Sequence, residues 1–127
     1  MSIIMSREFK HDLTAMERLT AVVLDVPTLF HIQRLTQQYE SALHEALEAL
    51  GADPTTRAHY EIIRWRYGFD DGQWTSLEKI GKERGPVTKE RIRQVEESAL
   101  NRLRRAIGAH RQHLSHVRAR EAAAVGS

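Results

Sequence analysis

The chain has no cysteine. That excludes disulfides and thiolate metal sites, and it fits a reducing compartment such as the cytoplasm. It has no long apolar run either. The stretch Ala21 to Leu24, flanked by Thr20 and Asp25, is too short for a membrane span or a signal peptide. Nucleotide-cradling glycines are missing: Gly81-Lys82 has no glycine at the required spacing before it and no Ser or Thr after it. No Ser-His-Asp or Cys-His arrangement can be assembled. Asp70-Asp71-Gly72 lacks the further oxygen ligands of a calcium loop. His110, His113 and His116 are spaced by three, which puts the first and last about 240° apart around a helix and ill placed to share one metal. The expectation is a non-enzyme with no cofactor and no metal.

What is present fits a helical globular chain. Of 127 residues, 41% are hydrophobic and 28% charged, so the chain can bury a core and is not compositionally disordered. The length suggests one domain, or a small domain with an appendage. The formal net charge of +2 is unevenly spread. Up to Glu61 the acids outnumber the bases. From Lys82 to Arg120 the balance reverses, with Lys89, Arg91, Arg93, Arg102, Arg104 and Arg105 among the bases. A basic half beside an acidic half suits a polyanion-binding protein with a protein-binding end; the alternative is a dipolar surface without a partner.

Leu13, Met16, Leu19 or Thr20, and Val23 mark a first amphipathic helix. Asp25-Val26-Pro27 breaks it, because a residue before proline is pushed out of the helical region. Pro27 suits the first turn of a second helix. That helix carries Leu29, Ile32, Leu35, Tyr39, Leu43, Leu47 and Leu50, spaced by threes and fours, and Gly51 is its natural stop. The stripe needs a covering surface. Its own domain, the same helix of a second copy and another protein are the three options, and the first is favoured.

A third helix follows, capped by Asp53 or Thr56. Ile62, Ile63, Tyr67, Phe69, Leu77, Ile80, Ile92, Val95 and Leu103 are the expected core of the C-terminal half. Trp65 and Trp74 are core edges or a docking patch. Thr75-Ser-Leu-Glu78 fits a capping box opening a short helix, which should stop near Gly85. The stretch Val87 to Leu103 then reads as a longer helix, at about 100° per residue. Ile92, Val95, Ala99 and Leu103 fall on one stripe. Glu90, Arg93, Gln94, Glu97, Asn101 and Arg104 fall on the other side, where their donors and acceptors match base edges. Thr88 is placed to cap this helix. Short helix, glycine turn and basic helix make a helix-turn-helix; an ordinary helical hairpin with a solvated face is the alternative. The tail beyond Ile107 is expected to continue the last helix and touch phosphate, or to be solvated, and to fray from Arg120 on.

Three pieces resemble region 4 of the sigma-70 family of bacterial promoter-recognition factors: Arg66-Tyr-Gly-Phe-Asp-Asp-Gly72, Leu77-Glu-Lys-Ile-Gly81, and Val87-Thr-Lys-Glu-Arg-Ile-Arg-Gln94 running into Ala99-Leu100 and Leu103-Arg104. The resemblance covers about Tyr60 to Ile107. It implies that the second helix enters the major groove of a minus-35 element. Lys89, Glu90, Arg93 and Gln94 are then the implied base or groove contacts, with Thr88 and Arg91 at phosphate or the helix start. It also implies docking of Ile62 to Phe69, with Ile63, Trp65 and Arg66 among them, on the flap of the RNA polymerase β subunit. Two departures stand out. Lys89 replaces the usual Arg, losing bidentate guanine recognition, and Pro86 is an extra residue in the turn.

The expected fold is all-α: an N-terminal helical pair (1–52) packed with or beside a region-4-like helix-turn-helix (53–119), then a frayed tail (120–127). The expected role is a DNA-binding transcription regulator, an activator or accessory factor that binds promoter DNA and RNA polymerase. It is not expected to be a complete sigma factor, because the acidic, aromatic-poor N-terminal part does not resemble the minus-10-reading domain. The alternative is a mimic that binds the β flap or another regulator without reading DNA. Residues 28–50 are the candidate surface for a protein partner or for self-association.

Overall fold

A computed structural model describes residues 12–85 and 87–125. Pro86, the extra residue expected in the turn, lies outside the described residues. Among the described residues five helices follow in order: α1, Ala15–Leu24; α2, Leu29–Ala52; α3, Arg57–Tyr67; α4, Leu77–Glu83; and α5, Lys89–Val125. The architecture is all-helical, as expected.

The ends of the helices follow local chemistry. Thr14 and Glu17 form a full capping box at α1: the Thr14 hydroxyl accepts the Glu17 N–H at 3.2 Å, and the Glu17 carboxylate accepts the Thr14 N–H at 2.9 Å. Asp25 ends α1 in the left-handed region at φ 52°, which Asp tolerates better than most residues. Pro27 does not enter the first turn of α2. Thr28 is the cap, and the helix starts at Leu29. Gly51 is not the stop of α2 either, because the helix runs through it to Ala52. Its lack of a side chain serves packing instead: a Cβ there would lie 2.9 Å from the Tyr60 ring. Thr56 takes the N-cap position of α3, as one of the two candidates, but its side chain makes no cap hydrogen bond. Asp53 accepts from Thr55, and the Thr56 hydroxyl donates to the Leu50 carbonyl at 2.7 Å. Gly68 closes α3 at φ 81°, with its N–H and that of Phe69 returning to carbonyls of the last turn.

The long apolar stripe of α2 is covered within the chain. Tyr39, Leu43, Leu47 and Leu50 share one cluster with Leu19 and Val23 of α1, Ile63 and Tyr67 of α3, and Ala99, Leu100, Leu103 and Ile107 of α5. The core therefore crosses the expected boundary between residues 52 and 53. The face of α2 offered for self-association is consumed in this packing. Only its first turn keeps large apolar surface, with Leu29 45% and Phe30 69% exposed. Smaller clusters flank the main one. Leu13, Ala21, Val26 and Ile32 close the α1–α2 turn. Ile62, Leu77, Ile80 and Ile92, with Trp65, Val87 and Val95, hold α4 against α3 and α5.

Arg18 joins the N-terminal helices to the rest by polar contacts. It is 2% exposed and donates to the Tyr67 carbonyl at 3.0 Å and the Gly72 carbonyl at 3.2 Å. One α1 side chain thus satisfies carbonyls at the end of α3 and in the turn leading to α4. Burial lowers the pKa of its guanidinium, opposed by the nearby carboxylates of Asp71 and Glu17.

Candidate nucleic-acid interface

The α4–turn–α5 unit forms the candidate site. The cap of α4 is Ser76, not Thr75: the Ser76 hydroxyl accepts the Lys79 N–H at 3.1 Å. Thr75 cannot serve because its backbone is committed to Arg66. The Thr75 N–H donates to the Arg66 carbonyl at 3.1 Å, and its carbonyl accepts from the Arg66 guanidinium at 2.8 Å. Glu78 pairs with Lys82 at 3.5 Å instead of closing a capping box.

The turn is made possible by two glycines. Gly85 takes φ 104°, a region closed to most side chains. Gly81 lets α5 approach, since a Cβ there would sit 2.5 Å from the Val87 carbonyl oxygen. At the start of α5 the Thr88 hydroxyl accepts the Arg91 N–H at 3.1 Å, which is the expected cap.

Lys89, Glu90, Arg91, Arg93, Gln94, Glu97 and Asn101 are all exposed along the first turns of α5, while Ile92, Ala99 and Leu103 are buried beneath them. Within that face, Arg93 donates two hydrogen bonds to Glu90, at 2.7 and 3.0 Å. This bond, ahead of the opposing desolvation and the contact with Gln94, holds the Glu90 carboxyl below its ordinary range. It also raises the Arg93 guanidinium. The fork of Arg93 is thus already engaged by a carboxylate on its own face.

Arg104 does not belong with this face. Its guanidinium donates to the Val22 carbonyl at 3.1 Å and the Val23 carbonyl at 3.2 Å, and to Asn101 at 3.0 Å. A cation at the C-terminal end of α1 also meets the negative end of that helix dipole. The helical wheel put Arg104 on the polar side, but only tertiary packing shows α1 reaching it.

The five residues predicted for the β flap separate. Ile62 and Ile63 are 2% and 0% exposed and belong to two different core clusters, so they lie beneath the surface. Arg66 bonds Glu96 at 3.0 Å and lies over the Trp74 ring at 3.9 Å. Under this group the buried Tyr67 hydroxyl is pushed well above its ordinary pKa, first by burial and then by Glu96. Trp65 and Phe69 are half-buried. Trp65 lines an open groove of about 780 Å³ with Tyr60, Arg64, Asp70 and Arg84. Both tryptophans are edges of packed clusters: Trp65 on the α4 cluster, and Trp74 edge-on to Tyr67 at 5.1 Å. Asp70 pairs with Arg64, and Asp71 accepts the Gln73 N–H at 2.9 Å, which makes this stretch a turn.

The stretch beyond Ile107 continues the last helix. α5 continues past Arg120 to Val125. Arg111 donates to the Tyr39 hydroxyl at 3.0 Å, and the His110 ring meets Tyr39 edge-on at 6.0 Å. At about 1.5 Å per residue, Arg118 lies roughly 43 Å along the helix from Lys89, too far for both to meet one groove end-on. Among the described residues no group of three or more His, Cys, Asp or Glu is arranged to hold a metal. None of the described helices is long and apolar enough to cross a membrane.

Two polar groups at this surface escaped the sequence reading, His59 of α3 and Ser98 of α5, and Arg102 of α5 was read there only as one base of the basic half. His59 Nε2 lies 3.2 Å from the Ser98 hydroxyl. A single-helix wheel shows Ser98 and Arg102 on one flank, but nothing in the sequence brings α3 alongside them.

Comparison with known proteins agrees with this geometry. Residues 56–105 match the family model described as Sigma-70, region 4, close to the expected span of about 60–107. Over 62 residues the chain is 47% identical to an RNA polymerase sigma factor SigA of Bacillus sp, covering 49% of this chain and 16% of that protein. It is 42% identical over 62 residues to an RNA polymerase sigma factor sigB of Arabidopsis thaliana, covering 49% of this chain and 10% of that protein. The aligned part is thus a small fraction of either relative. No solved structure matches the chain.

Proposed function

We propose, from the region 4 match of residues 56–105, that this chain is a sigma-factor-related transcription regulator that binds double-stranded promoter DNA of the minus-35 type. The observation that carries the proposal is the exposed polar face of α5, set on a buried stripe behind a glycine-closed turn. The N-terminal turns of α5 enter the major groove. Lys89, Glu90, Arg93 and Gln94 face base edges, with Glu97 and Asn101 farther along the same face. Thr88 and Arg91 meet phosphate at the helix start. Lys89 contributes a point charge, not a fork, so guanine preference at its position is weakened.

RNA polymerase is the second proposed partner. The surface available for its β flap is the groove beside α3 that Trp65 lines. In this reading the chain acts as an activator or accessory factor in the cytoplasm. The N-terminal helices serve first as the scaffold that completes the fold.

The test is fluorescence anisotropy with a minus-35-like duplex and a scrambled one across a salt series. A preference for the promoter duplex that persists as salt rises supports base readout; equal binding that collapses with salt leaves only backbone attraction. The mutual pairing of Glu90 and Arg93 favours a second reading, in which the region 4 unit binds the β flap or another regulator without reading DNA. Binding to polymerase core with no affinity for either duplex selects it.

A further inference from the structure

The two flanks of α5 differ in how their arginines are balanced. On the side toward α1, Arg93 is paired with Glu90 and Arg104 with Glu97 and the α1 carbonyls. On the side toward α3, Arg91 and Arg102 are exposed. Among the described residues neither guanidinium has a carboxylate within ion-pair distance. Asp53 and Arg102 interact only as separated charges. Ser98 stands between them, about 10 Å along the axis from Arg91 and about 6 Å from Arg102. These three residues are separated by seven and four positions, so they share a flank.

His59 approaches this flank from α3. Its Nε2 is 3.2 Å from Ser98 Oγ, and its Nδ1 is buried without a hydrogen-bond partner. A buried N–H with no acceptor is the costlier orphan, so the neutral ring carries its proton on Nε2 and donates to Ser98. Burial, and then Arg102 and Arg91, lower the pKa of His59 below its ordinary 6.5, in keeping with a neutral ring. The Ser98 oxygen then serves as the acceptor of this bond, which leaves its own O–H available as a donor on the exposed flank that also carries Arg91 and Arg102.

We propose that Arg91, Ser98 and Arg102, with His59 as the positioning residue behind Ser98, form a phosphate clamp. It takes the DNA strand that borders the major groove on the α3 side. The inference rests on the DNA-binding reading above and adds Ser98, Arg102 and His59 to it. Two positive forks flanking one neutral donor suit a chain of phosphodiesters, where charge sets affinity and the hydroxyl sets register.

The experiment is anisotropy of the full chain with promoter and scrambled duplexes over a salt series. Arg102→Ala is expected to weaken both duplexes by the same factor and to reduce the slope of log K against log salt by about 0.9, the loss of one phosphate contact. Ser98→Ala is expected to weaken both by about two- to tenfold with the slope unchanged. Both sites are exposed and alanine favours helix, so folding is retained. A single neutral methylphosphonate that weakens wild-type binding should cost nothing further in Arg102→Ala. His59→Phe keeps the ring but removes the Nε2–H, and in that background Ser98→Ala should add no loss. Unchanged slope and affinity in Arg102→Ala overturn the clamp, as does a silent Ser98→Ala. Full additivity of His59→Phe and Ser98→Ala overturns the positioning role. These failures leave the DNA-binding reading standing if Gln94→Ala still erases promoter preference. Absence of duplex binding by the wild-type chain overturns both.

Discussion

Replacing Arg18 by Met removes the polar tie between α1 and the end of α3 while keeping most of the aliphatic stem. Two carbonyls, of Tyr67 and Gly72, lose a charged donor. Hydrogen bonds from a charged group contribute about 1.5–3 kcal/mol each. Part of this is offset, because the folded state no longer desolvates a guanidinium. We expect a net loss of about 3 kcal/mol. For 127 residues, an unfolding entropy of about 2.1 cal/mol/K per residue turns that into a fall in Tm of roughly 11 °C. Circular dichroism melts of the two proteins at matched concentration measure it. DNA affinity at a temperature where both are folded should change little, since Arg18 lies in the core and not on the exposed face of α5. A fall in Tm below about 3 °C would refute the reasoning, because it would mean that water or a rearranged turn satisfies those carbonyls at no cost.

Other predictions test different joints. Gly81→Ala forces a Cβ against the Val87 carbonyl; we expect about 1–3 kcal/mol of destabilisation and weaker DNA binding from a displaced α5, measured by denaturant melts and anisotropy. Deleting residues 1–52 strips Tyr39, Leu43, Leu47 and Leu50 from the shared core; the remaining fragment should lose cooperative unfolding, as read by calorimetry. Gln94→Ala should cost about 1–3 kcal/mol of discrimination between promoter and scrambled duplexes, whereas Arg104→Ala should lower stability by about 1 kcal/mol and leave that discrimination intact. His59 favours its neutral form in the fold, so the stability it contributes is present above pH 6.5 and declines as pH falls through its lowered folded pKa. An NMR titration should place its midpoint below 6.5, and His59→Gln should flatten the stability profile in that window.

The sequence by itself determined the helices and the unit that carries the proposed function. Spacings of three and four marked the buried stripes of α2 and α5. Thr88 declared the start of α5, and Val87 to Gln94 carried the resemblance to region 4. These signals are local, since each depends on residues within one or two turns. Competition between neighbours was harder to see. Thr75 was expected to cap α4, but Ser76 does so, while Arg66 holds the Thr75 backbone from another helix. Gly51 looked like a stop and proved to be clearance for Tyr60. Only the tertiary structure decided what each polar side chain is free to do. Arg104 sits on the polar side of its own helix, yet α1 claims it. Ile62 and Ile63 were expected both in the core and at a docking surface; packing puts them in the core, in two different clusters. Arg18 and His59 act through partners 49 and 39 residues away. A helical period fixes the direction of a side chain relative to its own axis, but the helix it meets there is set by how the helices pack against one another.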